Sequence, residues 1–236
     1  MGCNRKQGYL QHKKYNMSIL EQLLAMIAPH ACIGCRTEGA LLCTACVAGL
    51  PAFPSRCYRC GKRTPDYRTC RSCRASSGMY QMIVASIYDG LSKELVHKLK
   101  FARGRAAAYD MAQALAICFS ASDATLISHI PTAPARVRQR GYDQAALIAR
   151  ALAQKTGVPY TPLLARLGDQ RQVGRTREQR RRQMQGVFRV TRPELLNQHV
   201  LLVDDVLTTG ATCEAAAQAL RKAGAKRVSA AVFAAA

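Results

Sequence analysis

Four consecutive aliphatic residues, Val200, Leu201, Leu202 and Val203, run directly into Asp204 and Asp205, and no other segment constrains the fold of this chain as much. An apolar run without alternation suits a strand buried on both faces, as in a parallel sheet covered by helices on each side. The two acids would then emerge at the carboxyl end of the strand. Thr208, Thr209, Gly210, Ala211 and Thr212 follow as a compact turn, and the alanine-rich stretch from Cys213 to Ala223, stopped by Gly224, predicts a helix. Such a turn is an anion site: backbone N–H groups converge, the helix amino end adds partial positive charge, and hydroxyls supply further donors. A phosphate fits there without a lysine. The Gly-Lys-Ser/Thr element of a nucleoside triphosphatase loop is absent from the turn, which weakens that class of function.

Ionised carboxylates only accept hydrogen bonds, so Asp204 and Asp205 suit the vicinal hydroxyls of a ribose whose 5-phosphate occupies the turn. The combination resembles the signature of type I phosphoribosyltransferases. That resemblance implies phosphoribosyl pyrophosphate as ligand, with Asp204 and Asp205 at the ribose, Thr208 to Thr212 at the 5-phosphate, and Mg2+ arriving with the ligand. Transfer from such a ligand displaces pyrophosphate through an oxocarbenium-like centre, and the protein's task is positioning and charge stabilisation. No side chain suggests itself as a catalytic residue. The last predicted strand, Val228 to Phe233, is followed by too few residues for a carboxyl-terminal hood, so the acceptor site is undefined.

The formal net charge is +21, with 35 Lys and Arg against 14 Asp and Glu, far more than a small phosphorylated ligand requires. The surplus favours a polyanionic partner, nucleic acid first. Residues between Arg166 and Phe188 concentrate it, and Arg171, Arg175, Arg177, Arg180, Arg181 and Arg182 are candidates for a nucleic-acid backbone or for a loop closing over substrate. The chain has no Trp, so contact with bases would fall to Tyr and Phe and backbone contact should dominate. No window approaches the roughly 18 apolar residues of a membrane span, and the expectation is a soluble, cytoplasmic protein.

Eight of the eleven cysteines form four Cys-x-x-Cys pairs: Cys32 with Cys35, Cys43 with Cys46, Cys57 with Cys60, and Cys70 with Cys73. Each pair can deliver two thiolates to one ion, and two pairs complete a tetrahedral zinc site of four cysteines. Seven residues separate the first two pairs and nine the last two, so consecutive pairing predicts two small ribbons binding one or two structural Zn2+. Gly61, directly after Cys60, supplies the backbone freedom to turn the chain there. A closed four-cysteine site has no position for substrate, so the metal should fold the module and not catalyse.

The order of segments gives three parts: a basic extension and amphipathic helix over 1–28, a double zinc ribbon over 29–78, and a phosphoribosyltransferase-like domain over 79–236. Met17 is an alternative start. Within the large domain, Met82 to Tyr88 reads as a strand, Leu91 to Phe101 and Ala106 to Phe119 as helices, and Ala124 to Ile130 as a second strand. That strand leads through Pro131, Thr132, Ala133 and a basic loop containing Arg136, Arg138 and Arg140 to a helix ending near Leu152, a second candidate anion site. The expected architecture is α/β: a type I phosphoribosyltransferase-like parallel sheet flanked by helices, plus the small amino-terminal zinc-ribbon module.

Taken in order, the four cysteine pairs, the Leu99-Lys100-Phe101 element, the Arg140-Gly141-Tyr142-Asp143-Gln144 element after the proline-rich strand end, and the final acidic pair and threonine turn resemble the ComF family of bacterial competence-associated proteins. The resemblance runs from about Pro29 to the carboxyl end. It implies a protein that handles single-stranded DNA entering during transformation, with phosphoribosyl pyrophosphate bound on the scaffold, Thr132, Ala133, Arg136, Arg138 and Arg140 at the pyrophosphate, and a competence helicase or other uptake protein as partner. A genuine phosphoribosyltransferase acting on a nucleobase or ammonia is the alternative, and a zinc-dependent adaptor for a helicase is another. The family's Arg-Gly-Phe-Asn-Gln element has Tyr142 and Asp143 here, and an added negative charge beside a pyrophosphate argues against direct phosphate contact by residue 143.

Overall fold

A computed structural model describes residues 30–101, 104–119, 124–167, 186–195 and 197–236. The extension and amphipathic helix expected over 1–28, and the candidates Arg171, Arg175, Arg177, Arg180, Arg181 and Arg182, lie outside the described residues.

The aliphatic run forms the middle of β5 (His199–Leu207), in a four-stranded sheet with β1 (Met82–Ile87), β2 (Leu126–His129) and β6 (Arg227–Ala235) in the order β1-β6-β5-β2. Every pairing in it is parallel. Val200, Leu201, Leu202 and Val203 are fully buried, as a strand covered on both faces requires. Beside it, β6 is buried from Val228 to Ala235 and carries Ala230, Ala231, Ala234 and Ala235, small side chains that let helices approach the sheet closely. Of those helices, α4 (Gly104–Cys118) packs on β1 and β6, and α6 (Gln144–Thr156) packs on β2, β5 and α4. Helix α7 (Ala211–Lys222) packs with β6 and with β4 (Phe188–Val190) instead.

Two boundaries near the acids differ from expectation. β5 continues through Asp204 and Asp205 to Leu207, because β6 keeps pairing with it there: Asp204 opposes Val232, Val206 opposes Ala234 and Leu207 opposes Ala235. On its other side β2 stops with His129 opposite Val203, so the acidic end of β5 is paired along one edge only. Helix α7 starts at Ala211, two residues before the expected Cys213, with Gly210 as its N-cap. The basic stretch after β2 is not a loop but a short helix, α5 (Pro134–Arg140), with Pro134 at its first turn. Sequence periodicity also missed β3 (Leu164–Arg166), which pairs antiparallel with β4 and so joins the two ends of the arginine-rich segment.

The cysteine-rich module repeats one local design. Bridges join Ala31 to Glu38 and Arg56 to Arg63, and in each half the first cysteine's N–H donates across the turn, Cys32 to Thr37 O and Cys57 to Lys62 O, both at 2.8 Å. Cys43 and Cys70 are the N-caps of the short helices α1 (Thr44–Ala48) and α2 (Arg71–Arg74). The residue after the second cysteine has positive φ in both halves: Gly61 at +75°, as its position suggested, and Arg36 at +68°. The module is continuous with the large domain, since Leu41, Leu42, Val47, Leu50 and Phe53 belong to the same hydrophobic core as the sheet. The Gly78 N–H donates to Glu214 Oε1 at 3.0 Å and the Ser86 hydroxyl to Pro51 O at 3.1 Å across the join. No helix among the described residues is long and apolar enough to cross a membrane.

Candidate functional site

The chain after β2 leads into α5 and α6, and the chain after β5 leads into α7, so neighbouring strands send their connections to different helix groups. A crevice forms at the carboxyl ends of such strands, which is where open α/β sheets bind ligands. Asp204 and Asp205 stand on the β5 side of it and Thr132 on the β2 side. Each acid is half-buried and accepts from the next residue's backbone, Asp205 N–H to Asp204 Oδ1 at 2.9 Å and Val206 N–H to Asp205 Oδ1 at 2.7 Å. Burial, reinforced by the neighbouring Asp205 carboxylate, raises Asp204 well above the usual carboxylate range. Lys100 Nζ, from the last turn of α3 (Gly90–Phe101), lies 3.2 Å from Asp205 Oδ2 and supplies the countercharge. The sequence placed Lys100 in a family element without a role, because a strand end and a helix end more than a hundred residues apart share no sequence pattern.

The turn from Thr208 to Ala211 has the features of an anion site. Gly210, at φ +73°, caps α7 with no side-chain hydrogen bond to the helix, so the first-turn N–H groups are not closed off by a carboxylate. The opposite holds at α6. There the Asp143 carboxylate is the N-cap, accepting from Ala146 N–H at 3.2 Å, and it also takes Thr132 N–H at 2.8 Å and the Thr132 hydroxyl at 3.1 Å. The expected second anion site at that helix end is therefore occupied by the protein's own negative charge. Asp143 instead holds Thr132 in place, consistent with its poor fit to a phosphate. His129 Nε2 lies 3.9 Å from the same carboxylate, and burial first of all lowers that imidazole's pKa, keeping it neutral.

The three arginines of the predicted pyrophosphate loop do not share one surface. Arg136 and Arg140 stand four positions apart on α5, which places them on one face, both half-buried, whereas Arg138 is exposed on the other. Arg140 also lies over the Phe101 ring at 5.6 Å, beside the Lys100 end of α3. Tyr142, where the family has Phe, donates its hydroxyl to Leu99 O at 2.5 Å and ties this segment to the same helix end. One further donor was not anticipated. The Gln144 side chain is buried, its Oε1 is 3.3 Å from the Thr132 hydroxyl, and its Nε2 has no hydrogen-bond partner among the described residues. A buried amide left without an acceptor is costly, and a ligand oxygen at Thr132 would relieve it.

The cysteines assemble as their spacing suggested. Cys32, Cys35, Cys43 and Cys46 form one cluster and Cys57, Cys60, Cys70 and Cys73 the other, with all sulfur atoms of a cluster within 4.8 Å of one another. Cys35 Sγ and Cys43 Sγ are 3.5 Å apart, and Cys60 Sγ and Cys70 Sγ 3.6 Å. A tetrahedron with Zn–S bonds of about 2.3 Å has edges of about 3.8 Å. The titration of the thiols fits as well. Hydroxyls lower one thiol per cluster to about 6, Thr37 acting on Cys35 and Ser72 on Cys70, while Cys46 is pushed up to about 12 by the adjacent Cys43 and Cys73 to about 12 by burial and then Cys70. Four thiols gathered this closely cannot all ionise unaided, and a divalent cation allows it. Both clusters suit structural zinc.

Residues 142–236 match the phosphoribosyl transferase domain family and residues 23–74 the double zinc ribbon domain family. The chain is 26% identical over 226 residues to DNA utilization protein YhgH of Escherichia coli K12, covering 86% of this chain and 96% of that one. It is 26% identical to Competence protein F of Haemophilus influenzae, covering 84% and 93%, and 26% identical to Competence protein ComFC of Bacillus subtilis, covering 78% and 79%. Among solved structures, glutamine phosphoribosylpyrophosphate amidotransferase of Bacillus subtilis overlaps 60% of this chain and 30% of its own length, at 24% identity and a TM-score of 0.41.

Proposed function

We propose, from the premise that this chain belongs to the ComF family, that it binds phosphoribosyl pyrophosphate in the β2–β5 crevice and handles single-stranded DNA during uptake on the cytoplasmic side. The observation that carries the reading is the contrast between two neighbouring helix starts, α6 closed by the Asp143 carboxylate and α7, five residues after the acidic pair, begun by Gly210 with only the neutral Thr209 hydroxyl on its Ala211 N–H at 3.4 Å. In this reading Asp204 and Asp205 accept from the ribose hydroxyls, and the turn from Thr208 to Thr212 takes the 5-phosphate on its N–H groups. Thr132 and the Gln144 amide face the pyrophosphate side, with Arg136 and Arg140 as the cations on that side. Mg2+ accompanying the ligand supplies countercharge for the pyrophosphate oxygens.

Lys100 balances the charge of Asp205, whose remaining acceptor positions would take the neutral ribose hydroxyls. The arginine-rich segment between β3 and β4 is the proposed track for the DNA backbone, and the relatives named for DNA utilization and competence support that role. Calorimetric titration of magnesium phosphoribosyl pyrophosphate into the protein tests the pocket. Binding should be saturable and should disappear in the double variant Asp204→Asn, Asp205→Asn, with an unchanged circular dichroism spectrum and zinc content as the check that the fold is kept. Equal binding by variant and parent would refute the assignment of the acids. The same titration with an oligonucleotide as probe tests the second half of the reading, which falls if no salt-sensitive binding is found.

A further inference from the structure

The second cysteine cluster touches the phosphate turn through one side chain. Tyr58 lies between Cys57 and Cys60, and its ring rests on Gly210: a Cβ added at Gly210 would stand 2.9 Å from Tyr58 Cδ2. Its hydroxyl donates to the Glu214 carboxylate and pairs with the Ser77 hydroxyl at 2.6 Å. Glu214 is in the first turn of α7 and is 5% exposed. It also accepts from Ser77 Oγ at 2.9 Å, Gly78 N–H at 3.0 Å and Gln218 Nε2 at 2.7 Å. The turn is thus gripped at two points, by the ring at Gly210 and by the hydroxyl one helical turn later.

The ring's own position is set by both cysteine pairs of that cluster. Gly61 N–H donates to Cys57 O at 2.9 Å, closing the first knuckle around Tyr58. The neighbouring Arg59 guanidinium donates to Ser76 O and Ser76 Oγ, each at 2.7 Å, and so fastens this knuckle to the chain leaving Cys73. The first cluster is joined elsewhere. Its link is Leu42 N–H to Asp110 Oδ2 at 2.8 Å, on α4, and Gly34 lies against Leu91 of α3.

We infer that Tyr58 is a positioning residue for the phosphate turn, and that metal in the Cys57, Cys60, Cys70 and Cys73 cluster is coupled through it to phosphoribosyl binding, by a direct contact that the first cluster does not make. The inference rests on the proposed reading of the Thr208 to Thr212 turn. Its mechanism needs no new element: the metal fixes the knuckle, the knuckle fixes the ring and hydroxyl, and these fix the backbone N–H groups that would meet a phosphate. Coupling of binding free energies is reciprocal, so the ligand must also hold that metal more tightly.

The test uses the zinc-loaded full chain and the variants Tyr58→Phe, which keeps the ring and loses the hydroxyl, and Tyr58→Ala, which loses both. Hydrogen exchange without any ligand comes first. Loss of the hydroxyl should speed exchange at residues 208–214 by roughly fivefold to tenfold, with residues 104–118 unchanged and two zincs retained. Tyr58→Ala should speed it further, and should Tyr58→Ala not fold, Tyr58→Phe alone carries the comparison. Zinc release to a chromogenic chelator is then followed with and without magnesium phosphoribosyl pyrophosphate. One of two phases should slow by about fivefold or more while the other stays the same, and Tyr58→Phe should shrink the effect. Unchanged exchange at 208–214 in both variants overturns the inference, as does slowing of both phases alike or of neither when the ligand binds. Faster exchange in the variants with no ligand binding by the parent chain leaves the mechanical link standing and refutes the phosphoribosyl reading instead.

Discussion

Asp110→Asn should remove a pH dependence of stability that the join between the first ribbon and α4 imposes. Asp110 is 6% exposed and its Oδ2 accepts from Leu42 N–H at 2.8 Å, one residue before the zinc-ligand candidate Cys43. Burial raises its carboxyl from 3.8 to about 7, against the smaller opposing effects of the Leu42 N–H and of Lys155, which burial in turn lowers to about 8. A raised carboxyl keeps its proton in the folded state while the unfolded chain has already lost it. Stability therefore falls as pH rises from about 4 to about 7 and levels off above. The full effect is about 4 kcal/mol, of which about 2 kcal/mol falls between pH 5.5 and 7.5.

Asparagine keeps an oxygen for Leu42 N–H and cannot ionise. Its amide adds an offset of about 1 kcal/mol for lack of a matched acceptor, but that offset does not change with pH. Urea denaturation of both proteins in excess zinc, at several pH values across that window, isolates the effect, since protonation of the cysteines is common to both and cancels in the difference. The variant should gain about 2 kcal/mol on the parent from pH 5.5 to 7.5, equivalent to about 4–8 °C in Tm for a chain of this size. A difference that stays flat across the window would show that Asp110 ionises in the folded protein as it does in the unfolded one, and would refute the reasoning.

Further outcomes follow from the same contacts. Metal analysis should find two zincs per chain, and Cys35→Ser with Cys43→Ser should leave one; a single zinc in the unaltered chain would contradict the two closed clusters. Asp204→Asn alone should raise thermal stability by about 0.5–2 kcal/mol, because it removes a carboxyl whose charged form desolvation and then Asp205 disfavour in the folded chain, and a lower Tm would contradict the raised Asp204 carboxyl. Tyr142→Phe should cost about 1 kcal/mol by freeing the Leu99 carbonyl, and an unchanged denaturation midpoint would show that the bond contributes nothing. If Arg171 to Arg182 track a nucleic-acid backbone, each Arg→Gln there should lower the slope of log K against log salt for an oligonucleotide by about 1.

Much of the architecture was legible because it is written in local repeats. An unbroken aliphatic run suits a strand buried on both faces, and Cys-x-x-Cys spacing brings two thiols to one point through a turn of four residues, so β5 and the four cysteine pairs were readable without a structure, while which pairs share a cluster was not. Individual boundaries were less so. Whether β5 ends before or after Asp204 depends on how far β6 stays beside it, and whether Arg136 to Arg140 form a loop or a helix depends on the turn begun by Pro134.

Sequence alone determined the chemistry at hand: an acidic pair before a hydroxyl-rich turn, eight thiols in four pairs, and a large positive charge. Only the tertiary structure decided which groups meet. It set Lys100 against Asp205, gave the Asp143 carboxylate to Thr132, and laid Tyr58 of the second knuckle on Gly210 and Glu214. The physical reason is range: turns and strand periodicity are settled by neighbours a few residues apart, whereas these contacts join residues 105, 11, 152 and 156 positions apart and exist only once the sheet has brought its ends together.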